Sequence, residues 1–121
     1  MQFNLTETQE DYLETIYEII LEKKGVKVKD IAEKMNVKNS SVTSAPKLLE
    51  ESKHINYEPY GIISLTDNGE KIAKHLNSMH RNLKSFLTDI LKIEEESANE
   101  TACRMEHIMP KETYKSLYPF E

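Results

Sequence analysis

Six side chains in this sequence carry metal-donor chemistry at helical spacing. The stretch ETACRMEHIMP, residues 100–110, holds the only cysteine, Cys103, with Glu106 and His107 three and four places on. Residues three and four apart share one face of an α-helix, so the three point the same way. Asp11 and Glu14 stand in the same relation near the N-terminus, and His80 lies in the middle of a long helical pattern. Thiolate, imidazole and carboxylate are the common ligands of divalent first-row metals. Spacing alone leaves a plainer reading open for each. Asp11 and Glu14 also read as a solvated face, His80 as a surface or core histidine, and Cys103 as a small buried hydrophobe.

The elements that must position these groups are mostly helical. In 121 residues, 38% are apolar, with 3 Gly and 4 Pro. That composition predicts one compact unit, or two small lobes sharing a core. No N-terminal stretch combines basic residues with an apolar run, and no window is apolar enough to span a membrane. The lone cysteine excludes an internal disulfide. These features predict a cytoplasmic protein with no membrane partner. The net charge of −5 argues against a nucleic-acid surface over the whole molecule. From Lys23 to Lys47, however, seven lysines face only Asp30 and Glu33, a local balance of +5. Such a patch suits DNA, or is simply a solvated helix face.

Thr6 and Gln9 have capping-box spacing ahead of a helix with Leu13, Ile16, Tyr17 and Ile20 as its stripe, ending at Gly25. A short helix follows around Asp30, Ile31, Ala32 and Met35, ending near Asn36. A third, capped by Asn39 or Ser40, has Val42, Ala45, Leu48 and Leu49 on one face. Ile55–Tyr57 and Ile62–Leu65 flank a Pro-Tyr-Gly turn and read as a hairpin. Thr66 or Asp67 caps a long helix to about Leu91, with Ile72, Leu76, Met79, Leu83, Phe86, Leu87 and Ile90 as its stripe. A helix with an acidic first turn carries the Cys103 group to Pro110, and a short one spans Lys111 to Leu117. Three helices and then a hairpin is the order of a winged helix-turn-helix, whose third helix enters the major groove. The predicted fold class is mainly α. Residues 1–73 form the DNA-binding winged helix, and 74–121 form a helical dimerisation and metal-binding region.

The stretches EDYLETIYEI, VKDIAEKMNVKNSSVT, NYEPYGIISLT, GEKIAKHL, HRNLKSFL and ACRMEHIM keep their order and spacing over most of the chain. Together they resemble the diphtheria-toxin-repressor family of metal-dependent transcription regulators, including its manganese branch. The resemblance implies a homodimeric repressor of iron or manganese uptake that binds double-stranded operator DNA. It implies no enzyme activity and no small organic substrate. Asp11 and Glu14 match the N-terminal ligand positions of the manganese branch; the iron branch has methionine at the position of Asp11. His80, Glu106 and His107 match further ligands. Cys103 resembles the iron branch, where the manganese branch has glutamate. Two more iron-branch ligand positions are occupied by Lys84 and Asn99. Fe(II) and Mn(II) are the implied metals, with Zn(II), Co(II) and Ni(II) compatible with the donor set. On this pattern, metal relieves repulsion among the carboxylates and ties the first helix to the later ones.

The implied recognition helix is Asn39–Ser52. Ser40, Ser41, Thr43 and Ser44 are its groove-facing candidates, and Lys38, Lys47, Lys27 and Lys29 are candidates for phosphate contact. Tyr60 stands at the wing. Three features depart from the family. Pro46 falls inside the recognition helix, Gly61 and Ile62 follow Tyr60 without the usual arginine, and Lys53-His54 replaces Gly-Leu. Four readings compete. The first is a metal-dependent repressor. The second is a winged-helix regulator with weakened metal control that senses thiol oxidation through Cys103. The third is a small metal-binding dimeric interaction module. The fourth is a small metalloenzyme, against which stands the lack of a nucleophile or general base beyond the ligands.

Overall fold

Thr6 opens the first helix through reciprocal bonds. The Gln9 N–H donates to Thr6 Oγ1 at 3.1 Å, and the Thr6 N–H donates to Gln9 Oε1 at 2.9 Å. Two of the orphan donors that begin any helix are satisfied in this way. The computed structural model describes residues 5–42 and 44–117. Its elements are α1 (Glu7–Glu22), α2 (Val28–Met35), a 3₁₀ turn (Asn39–Ser41), α3 (Ser44–Glu51), β1 (Ile55–Glu58), a second 3₁₀ turn (Pro59–Gly61), β2 (Ile62–Leu65), α4 (Asp67–Ser85), a π-helical turn (Phe86–Ile90), α5 (Glu95–Ile108) and α6 (Lys111–Leu117). They divide into two compact units: Thr6–Lys74, and Leu5 with residues 75–117.

In the first unit α1 packs on α2, α3 and β2. The unit's buried apolar residues include Tyr12, Leu13, Ile16 and Ile19 of α1, with Val26, Ile31, Ala32, Val42, Ala45, Leu49, Ile55 and Ile63. The α1 stripe is therefore centred on Leu13 and Ile16, as expected, but its flank is Tyr12 and Ile19. Ile20 is exposed. Both flanks are apolar in sequence, and the Tyr12 hydroxyl is held inward by donating to the Ser41 carbonyl at 3.2 Å. Lys27 precedes α2 as its cap, and its N–H donates to Asp30 Oδ2 at 2.8 Å, while Lys23 Nζ lies 3.0 Å from Asp30 Oδ1. Burial alone would raise the Asp30 carboxyl; these two bonds, with the charges of Lys23 and Lys29, together hold the group below its ordinary range. Asn36 closes α2 in the left-handed conformation that asparagine tolerates.

β1 and β2 are antiparallel, with Ile55 opposite Leu65 and Glu58 opposite Ile62. Val26 adds a single bridge by accepting the Ile63 N–H at 2.7 Å. The wing turns at Tyr60 and Gly61, both at positive φ. Lys53 also takes a positive φ, of 65°. His54 beside it is buried, and burial lowers the pKa of its ring. Its Nδ1 is 2.6 Å from Ser52 Oγ, which in turn donates to the Leu49 carbonyl at 3.2 Å.

One correction concerns the recognition helix. Asn39–Ser41 is a separate 3₁₀ turn, and α3 starts only at Ser44, so Pro46 is the third residue of the helix and not an interior one. The first N–H groups of a helix have no intrahelical partner, so proline there costs no bond. Pro46 is also buried. Pro46→Gln is expected to leave stability unchanged or lower it by about 1 kcal/mol, because it exposes the unfolded chain to more conformations and buries an amide. Urea unfolding checks this; a gain of about 2 kcal/mol would mean that proline was breaking a regular helix.

In the second unit Leu83 and Leu87 pack on Ala98 and Ala102 of α5, flanked by Phe86, Ile93, Met105 and Met109. The long helix ends earlier than its pattern predicts. A π-helical turn replaces the last α turn, and the Leu91 N–H reaches the Phe86 carbonyl at 3.3 Å. The wider turn rotates Ile90 off the stripe, leaving it exposed. Tyr114 fastens α6: its ring meets the His75 ring edge-on at 5.9 Å, and its hydroxyl accepts from Asn82 Nδ2 at 2.7 Å. Among the described residues no helix is long and apolar enough to cross a membrane.

Candidate metal centre and nucleic-acid interface

α5 places Cys103, Glu106 and His107 within four residues, and α4 carries His80 in the same unit. Glu106 Oε1 lies 3.3 Å from His80 Nδ1 and 3.9 Å from His107 Nε2. Glu106 and His107 are buried, and the His80 side chain is 19% exposed. Cys103, one turn earlier, is half-buried with a free thiol. On α1 of the first unit, Glu14 is buried and Asp11 half-buried. Glu10, which the periodicity did not single out, is buried as well.

Donor chemistry and spacing in the second unit fit a divalent ion. Two atoms bound tetrahedrally about 2.1 Å from one ion stand about 3.4 Å apart, and a wider bond angle brings them nearer 4 Å. The Glu106–His80 and Glu106–His107 separations lie in that range. His80 Nε2 is 2.8 Å from Asn99 Oδ1. An amide oxygen only accepts, so a hydrogen belongs on Nε2, and Nδ1 is the nitrogen that faces the Glu106 carboxylate. With the ring neutral and its hydrogen on Nε2, a divalent ion would fit between Nδ1 and that carboxylate. Lys84 Nζ pairs with Glu95 at 3.2 Å.

In the first unit the polar start of the recognition segment is exposed: Ser40 and Ser41 in the 3₁₀ turn, with Ser44 and Lys47 on α3. Lys38 precedes the turn, and Lys27 and Lys29 flank the start of α2; all three are exposed. Val42 anchors the turn in the core. Thr43 lies outside the described residues. Tyr60 at the tip of the wing is 91% exposed. Two lysines of the basic stretch are engaged by acids instead: Lys23 by Asp30, and Lys34 by Glu22 at 3.4 Å.

Residues 4–63 match the model of the iron-dependent repressor N-terminal DNA-binding domain, and residues 66–120 that of the iron-dependent repressor metal-binding and dimerisation domain. The chain belongs to the iron-dependent, or diphtheria-toxin, repressor family. Its fold is the mainly α winged helix-turn-helix and helical region of that family, and it is a metal-dependent transcriptional repressor, not an enzyme. It is 38% identical over 117 residues to the uncharacterised HTH-type transcriptional regulator MJ0568 of Methanocaldococcus jannaschii, covering 96% of this chain and 94% of that protein. It is 39% identical over 102 residues to the HTH-type transcriptional regulator MntR of Bacillus pumilus, covering 84% and 70% respectively. Among solved structures, the manganese regulator SloR superposes with a TM-score of 0.82 at 29% identity over 93% of this chain. The chain spans about half of the SloR chain, 52%.

Proposed function

We propose that the chain is a homodimeric repressor that binds double-stranded operator DNA when loaded with Fe(II) or Mn(II), and so controls uptake of that metal. The observation that carries this is the buried Glu106 carboxylate lying beside both His80 and His107 in a family of metal-dependent repressors. Asp11, Glu14, His80, Cys103, Glu106 and His107 are the proposed ligands, and residues 1–73 and 74–121 the proposed DNA-binding and metal-binding domains. The ion supplies positive charge among carboxylates that would otherwise repel, and so favours the DNA-competent state. Carboxylates favour manganese, whereas the thiolate of Cys103 moves preference toward iron, with zinc, cobalt and nickel within range.

The reading head is built for backbone contact. Lys27, Lys29, Lys38 and Lys47 meet phosphates, while Ser40, Ser41, Thr43 and Ser44 reach base edges or phosphates with short hydroxyls. No arginine stands on the recognition segment. Operator choice therefore rests largely on DNA shape. Tyr60 contacts the backbone from the wing. A second copy is the proposed cover of an apolar groove of about 310 Å³ lined by Leu83, Phe86, Ile90, Tyr114 and Leu117. The match to a dimerisation domain over residues 66–120 supports that occupant. A cytoplasmic location suits this role.

Cobalt(II) tests the ligand set. The wild type is expected to show a sulfur-to-cobalt charge-transfer band that Cys103→Ser abolishes. A cobalt-loaded wild type without the band would remove Cys103 from the set.

A further inference from the structure

Asn99 sits on α5 seven residues before Glu106, which is two helical turns and about 10.5 Å along the axis. The two side chains lie on one face of α5 and meet opposite edges of the His80 ring. Asn99 Oδ1 is 2.8 Å from Nε2, and Glu106 Oε1 is 3.3 Å from Nδ1. An imidazole held at both nitrogens by one helix has a fixed rotation. The carboxamide oxygen requires hydrogen on Nε2, so the neutral ring in this orientation turns its lone pair, on Nδ1, toward Glu106.

We infer that Asn99 is a positioning residue of the metal centre: its side-chain oxygen accepts the His80 Nε2–H and so turns the Nδ1 lone pair toward the ion beside Glu106. This rests on the proposed ligand set. The alternative tautomer, hydrogen on Nδ1, would satisfy Glu106 but withdraw His80 as a donor on that side. Asn99 therefore contributes to affinity without touching the ion, as outer groups on ligating histidines do. The neighbouring Lys84 Nζ pairs with Glu95 at 3.2 Å.

Three measurements on the full chain test this. Long-range proton–nitrogen NMR of the Zn(II)-loaded wild type should find hydrogen on His80 Nε2 and zinc on Nδ1; zinc on Nε2 would overturn the inference. In calorimetry with Mn(II), Asn99→Ala should lose affinity by about 10–100-fold. Asn99→Asp, which keeps an acceptor oxygen, should recover most of that loss. Thermal unfolding of the metal-free variants reports whether α5 is intact, and equal losses in Ala and Asp variants would assign Asn99 a merely structural role. His80→Ala separates the two levels of the argument. If it leaves Mn(II) affinity unchanged, the ligand set itself is wrong. If it weakens binding while Asn99→Ala does not, only the role of Asn99 falls.

Discussion

Glu106→Gln is expected to lower Mn(II) affinity by more than about 100-fold, beyond the range typical of groups that only orient a ligand. Glu106 is almost wholly buried, and its carboxylate lies near both His80 and His107. The substitution keeps the volume and removes the charge, so the amide neither balances the ion nor offers two equivalent oxygens. The fold should survive, because the apolar packing of Leu83, Leu87, Ala98 and Ala102 is untouched. Calorimetry with circular dichroism on the same sample separates the two. An affinity within a few-fold of wild type, with the helices intact, would remove Glu106 from the metal centre.

Gly69→Ala should destabilise the first unit by about 3 kcal/mol or more. Gly69 lies in the first turn of α4, where its N–H donates to Thr66 Oγ1 at 3.0 Å. A Cβ at Gly69 would overlap the carbonyl oxygen of His54. That carbonyl cannot swing away freely, since it accepts the Thr66 N–H at 3.1 Å, and Thr66 Oγ1 donates to the Lys53 carbonyl at 2.8 Å. Helix propensity predicts the opposite sign: alanine in place of glycine in an open helix gains about 1 kcal/mol. Urea unfolding therefore decides between them by sign. A stabilised variant would mean that α4 does not press on the end of α3 as described.

Features encoded by adjacent residues were legible from the chain. The Thr6–Gln9 capping box, the left-handed stop at Asn36 and the hairpin around Tyr60 each depend on a few neighbours, and each forms as read. What depends on tertiary packing was less so. The α1 stripe could tilt toward Tyr17 and Ile20 or toward Tyr12 and Ile19, and the Tyr12–Ser41 bond belongs to the second arrangement. Pro46 looked like an interruption because the break before Ser44 has no strong local signal; once the helix starts there, proline is acceptable. Ile90 left its stripe because a π turn changes the angle per residue. At the candidate site, the donor types and the i, i+3, i+4 spacing singled out Cys103, Glu106 and His107. In the sequence, Asn99 stands out only through the family resemblance, which implies a ligand at its position. Its seven-residue interval to Glu106 was in the sequence, but that interval acquires meaning only when His80 from another helix lies between them.

The central claim is that metal controls DNA binding, and one titration addresses it. A duplex selected from a random pool by the Mn(II)-loaded protein would be titrated, by fluorescence anisotropy at fixed salt, with the protein in Mn(II) and again in chelator. Fixing the salt matters because phosphate contacts make affinity steeply dependent on it. Coupling between sites commonly amounts to about 5–150-fold. Mn(II) is therefore expected to tighten binding by at least about tenfold, and Glu106→Gln to bind alike in both conditions. Equal affinity of the wild type with and without metal would contradict the account.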